Sequence, residues 1–299
     1  MGSWAWGHSD EMPAIRSLLF VPGDSERKIA KAQQTGADAL ILDLEDSVAP
    51  DRKPAARELC LAALAAGSGW KLFVRINALE TPHAAADLAA VMRGRPFGIM
   101  LPKCQSARDV LRLSDMLGVL EAREGIEAGR TMVLPIVTET AGSMLGFSSY
   151  AETRLPRLFG MAWGGEDLAA DLGASTNRDP GGDYALPYQL ARSFCLFTAA
   201  ACGVAPIDSV FTDIHDLQGL EREAVTAARS GFHGKMAIHP AQAEIINRAF
   251  TPGEEDIAHA RRVLDAFAAA QSNGVAVLDG RMLDRPHQRA AHRVLAAAE

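Results

Sequence analysis

Short apolar runs rich in Val, Ile, Leu and Phe recur along the chain, each followed by a stretch of helical periodicity. Eight runs stand at 17–21, 39–42, 72–76, 98–101, 132–137, 158–163, 209–212 and 235–238. Near-continuous apolar runs suit strands buried on both faces of a parallel sheet, whereas a half-solvated strand would alternate. The stretches between them predict helices over 26–35, 53–66, 84–92, 107–124 and 186–202, several opening after Ser, Thr, Asp or Pro as helix starts do. Each strand and helix unit takes about 30 residues, the usual length of a βαβ repeat.

This count predicts an α/β fold, a closed (β/α)8 TIM barrel over 13–250. A doubly wound open sheet competes with it, and would carry G-x-G-x-x-G after its first strand. Val21-Pro22-Gly23-Asp24 stands there instead, and no G-x-x-x-x-G-K-[ST] occurs anywhere. Residues 251–299 fall outside the eight units and read as a C-terminal helical extension: a helix over 254–273, the segment Val275-Ala276-Val277-Leu278-Asp279-Gly280, and a final helix ending near Glu299. Residues 1–12 read as an N-terminal tail. They hold Trp4, Trp6, His8, Asp10 and Glu11 but no basic region followed by an apolar one, so they do not form a secretory signal.

Composition narrows the function. The 299 residues are 48% hydrophobic, enough for a large core without disulfides. Lys and Arg number 30 against 37 Asp and Glu, a formal charge of -7 that excludes a general nucleic-acid binder and leaves room for an anionic small molecule. No run reaches the ~18 apolar residues of a membrane span. The four cysteines form no C-x-x-C and the eight histidines no H-x-x-x-H, so the thiols read as core residues and a zinc site is not expected. A cytoplasmic enzyme is the expectation.

In a barrel of this kind the active site forms at the C-terminal strand ends. Those ends are polar from the second run onward: Asp43-Leu44-Glu45-Asp46, Arg75-Ile76-Asn77, Pro102-Lys103, Thr138-Glu139-Thr140, Gly164-Gly165-Glu166-Asp167, Thr212-Asp213 and His239-Pro240. Charges leaving a core are costly unless paired or metal-bound, so their convergence on one rim points to a site. Carboxylates without His or Cys suit a hard cation, and Mg2+ commonly takes one or two of them. Glu139 and Asp167, ending adjacent strands, are the natural pair; the alternative is that Glu139 caps the next helix and Asp167 pairs with an Arg. Arg75 is either an ion-pair partner of Asp43 or Glu45 or a donor to a carboxylate or developing oxyanion, and both can hold at once. Lys103 is a rim salt bridge or a substrate contact. The loop 179–183 is a lid or a plain connection.

With these residues in view the chain resembles the citrate lyase beta-subunit family, the acyl-CoA branch of the HpcH/HpaI aldolase superfamily that includes malyl-CoA and citramalyl-CoA lyases. The resemblance spans almost the whole chain. Arg16-Ser17-Leu18-Leu19-Phe20-Val21-Pro22-Gly23, Leu42-Asp43-Leu44-Glu45-Asp46-Ser47-Val48, Val74-Arg75-Ile76-Asn77, Leu101-Pro102-Lys103, Glu139-Thr140-Ala141-Gly142, Gly164-Gly165-Glu166-Asp167-Leu168, Gly234-Lys235-Met236-Ala237-Ile238-His239-Pro240 and Asp279-Gly280-Arg281-Met282-Leu283-Asp284 carry it.

The resemblance implies that Glu139 and Asp167 hold Mg2+ and that Arg75 contacts the substrate. It implies that Phe20 and Lys31 contact the CoA portion, that Ile238 and His239 line the same cleft, and that Glu166 belongs to the substrate-binding set. Asp284 would reach a neighbouring subunit and complete its site in a homo-oligomer, a trimer. The implied reaction is a reversible Claisen-type cleavage of a 3-hydroxyacyl-CoA such as citryl-, malyl- or citramalyl-CoA, yielding a 2-oxo acid such as oxaloacetate. Aldol chemistry on free 2-oxo acids, thioester hydrolysis and a non-enzymatic binding subunit are the other readings.

Overall fold

The computed structural model describes residues 15–67, 71–270 and 274–298. The expected tail at 1–12 lies outside them. The chain forms two compact units that divide between Ile246 and Asn247.

The first unit runs β1 (Ser17–Pro22), α1 (Glu26–Ala32), β2 (Ala39–Asp43), α2 (Lys53–Ala65), β3 (Lys71–Arg75), α3 (Ala84–Val91), β4 (Gly98–Leu101), α4 (Ala107–Glu124) and β5 (Met132–Pro135). It continues through α5 (Ala141–Met144), α6 (Ser148–Glu152), β6 (Gly160–Ala162), α7 (Glu166–Asp171), α8 (Leu186–Cys202), β7 (Ala205–Asp208), α9 (Leu217–Ser230) and β8 (Gly234–Ala237) to α10 (Pro240–Phe250), within which the division falls. All eight strands are parallel, in the order β5-β4-β3-β2-β1-β8-β7-β6.

The two ends of that order meet. Pro135 has no N–H to continue a ladder, so β5 stops there. Val133 and Ile136 nevertheless form parallel bridges to Leu158 and Ala162, and Val137 N–H donates to Ala162 O at 2.9 Å. The eight-stranded barrel is therefore closed, with one thinly bonded seam between β5 and β6. Its interior holds Leu18, Ile41, Phe73, Met100, Leu134, Ala162, Ile207 and Met236, each at most 2% exposed. Fully burying a side chain of this size contributes about 1.5–3 kcal/mol.

One expected strand is misplaced. The run 209–212 is loop, and β7 is Ala205–Asp208. Pro206 and Asp208 make that segment read as a connection. Asp208 instead points outward, where Trp163, Arg192 and Lys235 all donate to its carboxylate. Thr212-Asp213 is accordingly not a strand end. The runs 132–137 and 158–163 shrink to β5 and β6 at the seam.

The second unit holds α11 (Glu254–Ala269), β9 (Val275–Leu278), β10 (Arg281–Asp284) and α12 (Arg285–Ala296). The helical extension thus also contains an antiparallel hairpin. Val277 faces Met282 and Ala276 faces Leu283 across it. The two-residue turn Asp279-Gly280 has φ of 51° and 75°, the left-handed pair of a type I′ turn. Ala260, Val263, Phe267, Ala276, Leu283 and Ala291 form the core of this unit. Among the described residues no helix is long and apolar enough to cross a membrane.

Candidate active site

The C-terminal ends of β2 and β3 are in register, Asp43 opposite Arg75. The Arg75 guanidinium forks onto the Asp43 carboxylate, Nε to Oδ1 at 2.7 Å and Nη2 to Oδ2 at 2.8 Å. Its Nη1 lies 3.0 Å from Glu45 Oε2, and its plane stacks over the Phe20 ring at 4.8 Å. Burial alone would raise the Asp43 carboxyl, but the Arg75 hydrogen bonds and charge hold it below its ordinary value. The same contacts raise the Arg75 pKa against its burial. Both readings of Arg75 survive, since the ion pair is present and leaves Nη1 and one Nη2 proton outside the Asp43 fork.

The turn after β2 is held from below. Lys53, buried on α2, donates Nζ to Leu44 O at 2.7 Å and Glu45 O at 2.9 Å. Asn77 donates to Leu44 O at 2.9 Å and is itself held by the buried Asp87. Lys53 does not stand out in the sequence, because a Lys in an amphipathic helix looks solvated, whereas Asn77 stands in the polar segment that follows β3. The result is a fixed Glu45, 6% exposed, whose carboxyl burial pushes above its ordinary value despite Arg75 and Lys103.

Glu139 follows β5 and is 3% exposed. It does not cap the helix after it; Thr140 does, accepting from Ser143 N–H at 3.1 Å. The Glu139 carboxylate accepts the backbone N–H of Lys103. Burial first, and the charge of Asp167 second, push its pKa up to about 8. Gly164 leaves this carboxyl its room, since a Cβ would stand 3.0 Å from Glu139 Cγ and press it aside. Asp167, in the first turn of α7, meets Lys103 Nζ at 3.3 Å rather than an Arg. Lys103 has a left-handed backbone, φ 52°, and its ammonium also contacts Glu45 Oε1 at 2.5 Å and Asp46 at 3.7 Å.

Two mutually repelling carboxylates with no soft donor beside them suit a hard divalent cation. No group of three or more His, Cys, Asp or Glu able to cage a metal occurs among the described residues. An open pair fits Mg2+, which keeps several positions for water and substrate oxygens.

The other expected residues divide. Phe20 sits under Arg75. Ile238, 39% exposed, and His239 follow β8, and the buried Gln242 side chain accepts both of their backbone N–H groups, at 2.9 and 3.2 Å. Lys31 is exposed on α1. Glu166 is next to Asp167 in α7, and the Asn177 amide, 7% exposed, donates to it at 2.7 Å, a tether with no local sequence signal. Asn177 lies in the α7–α8 loop that contains 179–183, which is bonded to itself. Asp179 Oδ1 accepts from Gly181 and Asp183 N–H, and Arg178 stacks on Tyr184 at 4.0 Å while pairing with Glu223 at 2.9 Å. Asp284 belongs to the second unit, where it caps α12 and lies 2.6 Å from His287 Nδ1.

Residues 16–240 match the family described as HpcH/HpaI aldolase/citrate lyase, and 189–299 match one described as C-C bond lyase of the TIM-barrel fold. A (3S)-malyl-CoA thioesterase of Cereibacter sphaeroides is 36% identical over 289 residues, 95% of each chain. The citrate lyase beta subunit of Escherichia coli is 36% identical over 290 residues, 95% of this chain and 93% of that one. Among solved structures, the CitE protein of Mycobacterium tuberculosis in complex with magnesium, acetoacetate and coenzyme A has a TM-score of 0.78. It is 36% identical, over 95% of this chain and 98% of that one. The citrate lyase beta subunit of the same organism with oxaloacetate and magnesium has a TM-score of 0.67, over 80% of this chain and 98% of that one, at 36% identity.

Proposed function

The chain belongs to the HpcH/HpaI aldolase/citrate lyase family, and from that premise we propose that it is a Mg2+-dependent carbon–carbon lyase acting on a 3-hydroxyacyl-CoA thioester of the citryl-, malyl- or citramalyl-CoA type. The observation that carries this reading is the Glu139 and Asp167 carboxylate pair beside the anchored Arg75 at one barrel mouth. The magnesium, oxaloacetate and coenzyme A bound by similar solved proteins support the ligand classes.

Glu139 and Asp167 would hold Mg2+, which supplies Lewis-acid polarisation of the 2-oxo carbonyl. Arg75 would direct its remaining N–H groups at the thioester oxygen, where negative charge develops as the carbon–carbon bond breaks. Because Asp43 fixes the guanidinium beforehand, no reorientation is needed in the transition state. Phe20 would back the guanidinium, and Phe20 with Lys31, Ile238 and His239 would line the approach of the CoA portion. Glu166, tethered by Asn177, would bound the substrate side. In cleavage the 3-hydroxyl proton would leave to water as the 2-oxo carbonyl forms, and Asp284 from a neighbouring copy would deliver a proton to the acetyl carbon; condensation would reverse both transfers. This reading makes the protein a homo-oligomer, a trimer, and we assign it to the cytoplasm, in keeping with four free cysteines.

A second reading, hydrolysis of the thioester, is favoured by the malyl-CoA thioesterase relatives. One experiment separates them. A panel of CoA thioesters, with Mg2+ or with EDTA, followed by mass spectrometry, should show acetyl-CoA and a 2-oxo acid only where Mg2+ is present. Free CoA with the intact hydroxy acid would indicate hydrolysis, and undiminished turnover in EDTA would remove the metal mechanism.

A further inference from the structure

Five carboxylates meet at the barrel mouth, those of Asp43, Glu45, Asp46, Glu139 and Asp167, and Arg75 and Lys103 are the cations set among them. The two cations differ in availability. Arg75 is 12% exposed and commits Nε and Nη2 to the Asp43 fork, whereas Lys103 is 33% exposed and makes single contacts to three different carboxylates. An anionic 2-oxo acid entering a mouth with an excess of carboxylates needs a cation besides the metal, and Lys103 is the more exposed of the two, with contacts to Asp167 and Asp46 at 3.3 and 3.7 Å that are long enough to exchange.

Its backbone is unusual. At φ 52° Lys103 occupies a region that side chains other than Gly, Asn and Asp seldom adopt. That conformation lets one residue reach both carboxylates of the metal pair, the backbone N–H on Glu139 and the ammonium on Asp167. Its firmest side-chain contact, at 2.5 Å, is to Glu45, which Lys53, Asp43 and burial keep in place. Backbone strain that a surrounding network holds in place concentrates at functional sites.

We propose that Lys103 recognises the carboxylate of the 2-oxo acid, and that its ammonium gives up Asp167 when a divalent cation takes that oxygen. The inference rests on the lyase reading of the same site. Asp167 Oδ1 cannot satisfy an ammonium at 3.3 Å and a divalent cation equally, and the larger charge prevails. The ammonium then keeps Glu45 as its tether and has donors free for an anion beside the metal. Lys103 therefore opposes cation binding in the absence of substrate and favours it in the presence of the 2-oxo acid.

Lys103→Gly and Lys103→Met separate the parts. Glycine adopts φ 52° freely and retains the N–H for Glu139, so it removes the ammonium alone; thermal melts of both variants establish that they fold. Calorimetric titration of Mg2+ without substrate should give about fivefold tighter binding in both variants, the size of a partly exposed ion pair removed from competition. Pyruvate titrated at saturating Mg2+ should bind about tenfold more weakly, as expected for a lost charge-assisted contact. In condensation assays the KM for the 2-oxo acid should rise while that for acetyl-CoA stays level, and Lys103→Arg should recover part of the loss. Equal or weaker Mg2+ binding in both variants overturns the displacement, and unchanged pyruvate binding overturns the recognition. Wild-type protein that binds no Mg2+ overturns the lyase reading itself and this proposal with it, whereas wild-type binding of both ligands with unaltered variants overturns the role of Lys103 alone.

Discussion

In the proposed reaction Arg75 would serve both structure and chemistry. Its fork on Asp43 depends on the planar spacing of Nε and Nη2, which a lysine ammonium cannot reproduce. Arg75→Lys should therefore lose about 100-fold or more in kcat, the scale of removing one oxyanion donor, while the protein remains folded. Near-normal kcat would reduce Arg75 to an ion-pair partner. Asp208 makes the opposite case, an acid the proposed chemistry does not use. Burial would raise its carboxyl, but the charges of Lys235 and Arg192 hold it down at about 2. Its unfolded value is about 3.9, so the native state favours the ionised form, and on the order of 2–3 kcal/mol of stability is present above pH 4 and lost as pH falls toward 2. Asp208→Asn should cost about 3–5 kcal/mol at neutral pH by removing the carboxylate that Lys235 and Arg192 share, leaving Lys235 with Glu223 alone, and should flatten the acid limb of a denaturation curve taken between pH 5 and pH 2. An unchanged acid limb would mean that other carboxyls dominate there. Side chains that end strands were legible as a polar rim from sequence alone. Residues acting from behind the rim, such as Lys53 and Asn177, were not, because each works through a backbone or carboxylate partner up to 11 positions away.

Elements were legible where one signal dominated. The runs 98–101, 107–124 and 186–202 coincide with β4, α4 and α8, each a plain apolar strand or an amphipathic helix with a clear start. β7 differs from the run expected at 209–212 because its outward residue is a charge satisfied only in three dimensions, so the local pattern carries a false loop signal. The hairpin β9–β10 has its turn in plain view as Asp279-Gly280, but only β9 is an apolar run; β10, Arg281-Met282-Leu283-Asp284, has a charge at each end and does not read as a strand. That turn yields a prediction of its own. Gly280 has φ 75° with no atom near its absent Cβ, so Gly280→Val meets no clash and still strains the backbone. Destabilisation of about 1–3 kcal/mol is expected from a β-branched residue held in the left-handed region. Hydrogen exchange should quicken in β9 and β10 while the strands of the barrel keep their protection. Uniform exchange across both units would show instead that the hairpin opens only with the whole chain.

At the scale of the molecule, eight βα units explain the first 240 residues and leave the remainder without a local duty. The outer face of α8 carries Leu186, Leu190, Phe194 and Phe197 at helical spacing, each at least 43% exposed, an apolar surface of the sort that association covers. In the proposed assembly each complete site combines Glu139 of one copy with Asp284 of another. Glu139→Ala and Asp284→Ala proteins should then be inactive separately, for unrelated reasons. Mixed in equal amounts and allowed to exchange subunits, they should regain activity at about one quarter of the sites, the fraction that random pairing gives an intact Glu139 barrel and an intact Asp284 donor. Complementation requires the two residues to act in trans, because a hybrid in which each chain completed only its own site would contain no intact one. A catalytically active monomer by light scattering, or no recovery in mixtures whose subunit exchange is demonstrated by mass spectrometry, would rule out the shared site and leave Asp284 as the cap of α12.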